Sequence, residues 1–195
     1  MKKIAVFASG NGSNFQAIVD AVKAGTLAAD ICLLVCDKES AYVLQRAEKE
    51  NIDSFCFVPK SFHDKAAFEQ EIVKQLKLRN IEFIVLAGYM RLIGPTLLQE
   101  YPEAIVNIHP SLLPNFPGKD AIGQAFDAGV KVTGLSIHYV DAGMDTGPII
   151  AQKEIGVLAN DTRDRLQERI QQAEHTTYPE VLQQLFMNEK SIPSH

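Results

Sequence analysis

Apolar residues come in short continuous runs, and stretches of helical periodicity lie between them. Runs at 4–8, 31–36, 54–58 and 83–87 read as buried strands. Between them, Phe15, Ile18, Val19 and Val22 recur at helical spacing up to Gly25, and Val43, Leu44 and Ala47 share one side of a helix over 41–50. Phe68, Ile72, Leu76 and Arg79, with Val73 beside them, mark a helix over 64–79, and Gly94-Pro95 opens a short one through Glu100. Ala104-Ile105-Val106 leads a fifth strand. A helix over 121–128 ends at Gly129, and strands follow at 132–140 and 149–155 with no helix between them. The tail over 162–188 reads as helical, interrupted near Pro179. Strand–helix alternation with unbroken apolar strands predicts an α/β fold: an open, mostly parallel twisted sheet, helices on both faces, and an antiparallel strand pair near the C-terminal end.

Composition narrows the class. The 195 residues are 46% hydrophobic and 22% charged, which suits one globular domain over 1–195. A net charge of −5 argues against a nucleic-acid surface built on basicity, although a local site can still take an anion. The first apolar run is too short for a signal peptide, and no stretch approaches a membrane span. Cys32, Cys36 and Cys56 lie in apolar surroundings without a CxxC pair, as reduced core thiols of a cytoplasmic protein would.

In an open α/β sheet, ligands bind at the carboxyl ends of the strands. Three such ends carry chemistry: 9–14, 88–91 and 107–114. Ser9-Gly10-Asn11-Gly12-Ser13-Asn14 joins a strand to a helix, where free amides and the helix dipole suit a phosphate. The third glycine position of the dinucleotide fingerprint is Phe15 here, and no GK[ST] follows, so a single phosphate monoester fits better. Asn107 and His109 are two apart at a strand end, stopped by Pro110 and Pro114, and so point to one face. Together they can polarise a carbonyl or formyl group, or they can simply end a strand. Residues 141–148 form a tight loop offering Asp141 and Asp145. Either can cap the turn, and one beside His109 would orient the imidazole. His138 reads as a buried structural histidine, His63 and His175 as surface residues, and His195 as the terminus. Glu174 falls between helical segments.

Four stretches together resemble the glycinamide ribonucleotide formyltransferases, folate-dependent enzymes of purine synthesis: Gly10-Asn11-Gly12-Ser13-Asn14, Leu86-Ala87-Gly88-Tyr89-Met90-Arg91, Asn107-Ile108-His109-Pro110-Ser111-Leu112-Leu113-Pro114, and residues 141–148. The resemblance implies a phosphate-binding half over 1–100 and a catalytic and folate-binding half over 101–195. It implies that Asn107, His109 and Asp145 form the catalytic set. Asn11, Gly12, Ser13, Asn14 and Phe15 would hold the substrate phosphate, and Glu174 the ribose or amine end. Lys65, Met90, Arg91, Leu92, Ile93, Asn107, Asp141, Ala142, Gly143, Met144 and Asp145 would line the folate side. Lys65 stands where the family has an arginine, so charge is kept and the bidentate fork is lost. Asp120 stands where many relatives have a histidine, and the resemblance assigns it nothing.

The reaction so implied is formyl transfer from 10-formyltetrahydrofolate to the amine of 5-phosphoribosylglycinamide. Small molecules are the only expected partners, with no nucleic acid, no membrane and no metal. Two rivals stand beside it. One is a relative that hydrolyses 10-formyltetrahydrofolate or formylates methionyl-tRNA, which would bring a further domain that this chain is expected to lack. The other is a non-catalytic sensor that binds a phosphosugar at Gly10–Asn14.

Overall fold

The computed structural model describes residues 1–189, so His195 lies outside the described residues. Seven strands form one sheet: β1 (Lys2–Ala8), β2 (Ala29–Cys36), β3 (Ser54–Cys56), β4 (Phe83–Leu86), β5 (Ile105–His109), β6 (Val132–Tyr139) and β7 (Ile149–Gly156), in the order β3-β2-β1-β4-β5-β6-β7. The helices are α1 (Ser13–Lys23), α2 (Val43–Lys49), α3 (Lys65–Leu78), α4 (Pro95–Glu100), α5 (Ala121–Asp127) and α6 (Arg163–Glu189). From β3 to β5 every pairing is parallel. The β6–β7 pair is antiparallel, as its missing helix predicts, and β5–β6 is antiparallel as well. The third strand is shorter than its apolar run, because the chain turns into a 3₁₀ segment at Pro59–Ser61.

Strand alternation divides the core into two layers. Ile4, Val6, Val85, Val106, Ile108, Leu135 and Ile137 face α1, α2 and α6. Ala5, Phe7, Leu33, Val35, Ile84, Leu86 and Ile105 face α3 and α4. The second layer is built around β1, β2 and β4. By parity with Ile105, Asn107 and His109 lie on that same side, but at the carboxyl end of β5. Cross-strand register places His138 opposite Asn107 and Ser136 opposite His109. A polar patch therefore opens where the helical cover gives out.

The tail helix departs from the sequence expectation. α6 runs unbroken from Arg163 to Glu189 with Pro179 inside it. Proline in a helix interior costs about 3 kcal/mol. Leu166, Ile170, Tyr178, Leu182 and Phe186 all bury against the sheet, and that packing outweighs the lost hydrogen bond. Tyr178 is wholly buried, and its hydroxyl donates to the Leu86 carbonyl at 2.7 Å. It thereby locks the middle of α6 onto the end of β4. Glu174, one turn earlier, is mid-helix rather than between segments.

Candidate active site

The sheet order reverses between β1 and β4, and the loops that follow these two strands are stitched together. The Ser9 amide donates to the Gly88 carbonyl at 3.0 Å, and the Met90 amide donates to Ser9 Oγ at 2.9 Å. Such a crevice is where ligands of open α/β sheets bind. Beside it lies a cavity of about 480 Å³. Met90, Arg91, Leu92 and Ile93 line one wall, Asn107 and His109 another, and Gly143, Met144 and Asp145 a third.

Asn107 is half-buried, and its amide makes no hydrogen bond to any described residue, so both its donor and its acceptor are available to a ligand. His109 is held from both sides. Its Nε2 lies 2.9 Å from the Phe116 carbonyl, and its Nδ1 lies 3.5 Å from Asp145 Oδ2. A carbonyl can only accept, so Nε2 carries a hydrogen. On the Nδ1 side the ring faces the Asp145 carboxylate, a second acceptor. Asp145 is itself fixed. Its Oδ2 accepts from the Gly118 amide at 2.9 Å, and its backbone adopts the left-handed conformation, with φ at 56°. Strain of this kind persists only where the surroundings impose it.

His138 belongs to this group, although its sequence context suggests only a buried structural histidine. It is buried and its Nδ1 donates to its neighbour's carbonyl, but its Nε2 has no hydrogen-bond partner among the described residues and lies 3.8 Å from Asp145 Oδ1. Asp145 thus sits between two imidazoles. The polar alternation of Ser136 and His138 against Leu135 and Ile137 was the available signal. It points at the site only once β5 and β6 are known to pair antiparallel.

Other expected residues divide. Asp141 caps its own loop, accepting from the Gly143 amide at 2.9 Å and the Thr146 hydroxyl at 2.7 Å, and these bonds hold its carboxyl below the usual carboxylate range. Neither Asp141 nor Ala142 lines the cavity. Lys65 does not line it either, because its ammonium donates to the Leu92 carbonyl at 2.9 Å behind the wall. Arg91 lines the cavity, while its guanidinium turns to Asp37 at 2.8 Å. Asp120 caps α5 through the Gly123 amide and pairs with Arg163 at 3.4 Å, which accounts for an acid at this position.

The glycine turn sits at the head of α1. Gly12 has φ at 80°, and a Cβ there would lie 2.4 Å from Val43 Cγ2, so only glycine lets α2 close on the turn. α1 has no side-chain cap of its own, which leaves its first amides for a ligand. Phe15 is wholly buried, so only its backbone can take part. Arg46 is an unforeseen member: Nε and Nη2 each donate at 2.8 Å, to the backbone and side-chain oxygens of Asn11. His175 is half-buried rather than at the surface, and burial, with Arg46 nearby, holds its pKa down.

Glu174 is 8% exposed and accepts from Asn14 Nδ2 at 2.7 Å. Burial pushes its pKa up to about 7 from 4.5, against the opposing pull of Asn14. A raised carboxyl pKa destabilises the fold where the unfolded chain has ionised and the folded one has not. Stability should therefore fall between pH of about 4.5 and about 7, by about 3 kcal/mol in all. Glu174→Gln should remove that slope. In thermal melts from pH 4.5 to 8, the variant should gain on the parent as pH rises; parallel curves would mean that Glu174 does not titrate there.

A family model described as formyl transferase matches residues 2–182. The chain is 62% identical over 185 residues to phosphoribosylglycinamide formyltransferase of Bacillus subtilis, covering 95% of each. It is 36% identical to the protein of that name from Escherichia coli, covering 92% of this chain and 84% of that one. The crystal structure of glycinamide ribonucleotide transformylase 1 from Geobacillus kaustophilus superposes with a TM-score of 0.93 at 60% identity, covering 95% of this chain and 98% of that one. The chain belongs to the formyl transferase family.

Proposed function

We propose that the protein transfers the formyl group of 10-formyltetrahydrofolate to the amine of 5-phosphoribosylglycinamide, in de novo purine biosynthesis. The observation that carries this reading is the meeting of Asn107, His109 and Asp145 in one cavity walled by residues 90–93. The glycine turn and Glu174 lie at the neighbouring crevice, where the phosphate and ribose would sit. The 62% identity to a phosphoribosylglycinamide formyltransferase supports the same substrates.

In this mechanism the amine nitrogen adds to the formyl carbon, and the carbonyl oxygen becomes an oxyanion. The uncommitted Asn107 amide donates to it, and protonated His109 supplies positive charge beside it. The bond to N10 then breaks, and tetrahedral collapse leaves the N-formyl product. The amine loses one proton and N10 gains one, which a water held by Asp145 would relay. The co-substrate supplies the formyl group, and the charge on the intermediate is met by hydrogen-bond donors.

The same reading gives a cytoplasmic enzyme whose partners are these small molecules; three free thiols are in keeping with it. No helix among the described residues is long and apolar enough to cross a membrane. Mixing the protein with glycinamide ribonucleotide and 10-formyltetrahydrofolate should release tetrahydrofolate, and leaving out the ribonucleotide should stop it. Release that continues without the ribonucleotide would make the protein a hydrolase. Ribonucleotide binding without release would make it a sensor.

A further inference from the structure

The wall at residues 88–94 runs from β4 to α4 without regular secondary structure. Loops of that kind are ordinarily the mobile part of a site. Here the wall is fastened from behind at successive residues. Ser9 holds Gly88 and Met90, Asp37 holds Arg91, Lys65 holds the Leu92 carbonyl, and Glu69 holds the Gly94 amide at 2.8 Å.

Glu69 is the least ordinary of these ties. It lies on α3 beside the apolar residues Phe68 and Ile72, is 1% exposed, and its Oε1 has no partner within hydrogen-bond geometry among the described residues. Lys65, one turn earlier, is engaged with Leu92 rather than with this carboxylate. Burial raises the Glu69 pKa, against the opposing pull of the Gly94 and Leu97 amides and of the Lys65 charge. A carboxyl group in such a place costs folding energy that an apolar side chain would not. What it supplies is an acceptor at the head of α4, whose own capping position is Gly94 and has no side chain. Space is reserved for it, since a Cβ on Gly94 would lie 2.5 Å from Glu69 Oε1.

We propose that Glu69 is a positioning residue for the folate side of the cavity: it fixes Gly94, and with it the backbone of residues 90–93 that the co-substrate must meet. This rests on the reading of residues 90–93 as the folate wall. Glu69 touches neither the cavity nor the reacting atoms, so it acts through that wall alone.

The test uses the full chain with Glu69→Leu and Glu69→Gln. Leucine fills the same buried volume and offers no acceptor to Gly94; glutamine keeps an acceptor. Glu69→Leu leaves the buried Gly94 amide without its acceptor and should melt a few degrees lower than the parent, so its kinetics are read well below the transition. Its KM for 10-formyltetrahydrofolate should rise about tenfold, with the ribonucleotide KM unchanged and kcat little altered. Glu69→Gln should restore the folate KM. An unchanged folate KM in Glu69→Leu, or an equal rise for both substrates, overturns the proposal. If the parent protein transfers no formyl group, the functional reading fails by itself, and amide exchange still decides the brace. Faster exchange confined to residues 88–94 in Glu69→Leu supports it, and unchanged exchange overturns it.

Discussion

Asp145→Asn should cut formyl-transfer turnover by about 10²–10⁴-fold while the protein stays folded. The contacts of this carboxylate set the expectation. Its Oδ2 faces His109 Nδ1 at 3.5 Å, its Oδ1 faces His138 Nε2 at 3.8 Å, and Oδ2 also accepts from the Gly118 amide. Asparagine can keep the Gly118 bond and tolerates the left-handed backbone as well as aspartate does. What it cannot do is hold a positive imidazole or accept a proton in relay. The loss should therefore appear in kcat at pH 7, with the melting temperature and the KM for ribonucleotide near those of the parent. His109→Ala should likewise lower kcat more than it raises KM. Near-normal turnover of Asp145→Asn would remove Asp145 from the mechanism. A KM effect alone in His109→Ala would remove the oxyanion assignment.

Why Asn107 and His109 could be read from sequence and His138 could not is a matter of range. The first two share a strand, and alternation along one chain is local. Their juxtaposition with His138 depends on which strand lies next to β5 and in which direction, and that is set by packing across the sheet. The same holds for the wall at 88–94. Residues 88–91 stand out as a strand end, but the anchors of this wall come from the ends of β1 and β2 and from α3, and none of these forms a pattern with it in sequence. Lys65 differs from what the family resemblance implies, since its ammonium grips the Leu92 carbonyl behind the wall. The helices and the parallel strands were legible because their periodicity is strong. Pro179 misled because a single-residue rule cannot weigh the buried face of a long helix against one lost hydrogen bond.

Gly147→Ala should destabilise the protein by about 3 kcal/mol and lower its melting temperature by about 6–12 °C. A Cβ at this position would lie 1.7 Å from the Tyr139 carbonyl oxygen and 2.8 Å from its carbon. Both are backbone atoms at the end of β6, and neither can turn aside as a side chain would. The strand end is pinned on both sides: the Tyr139 amide donates to the Pro148 carbonyl at 2.9 Å, and the Val140 amide donates to the Ile105 carbonyl at 2.9 Å. The clash is therefore relieved by pushing out the 141–148 loop rather than by moving β6. Asp145 lies two residues before Gly147, so its carboxylate would leave His109 and His138. A displacement near 1 Å can cost about 10²-fold in rate. Turnover measured well below the melting transition should fall by that order, in step with the lost stability. A variant that melts lower yet turns over normally would show that the loop finds another path that keeps Asp145 in place. A variant unchanged in both would mean that the close approach of Gly147 to Tyr139 does not hold the loop.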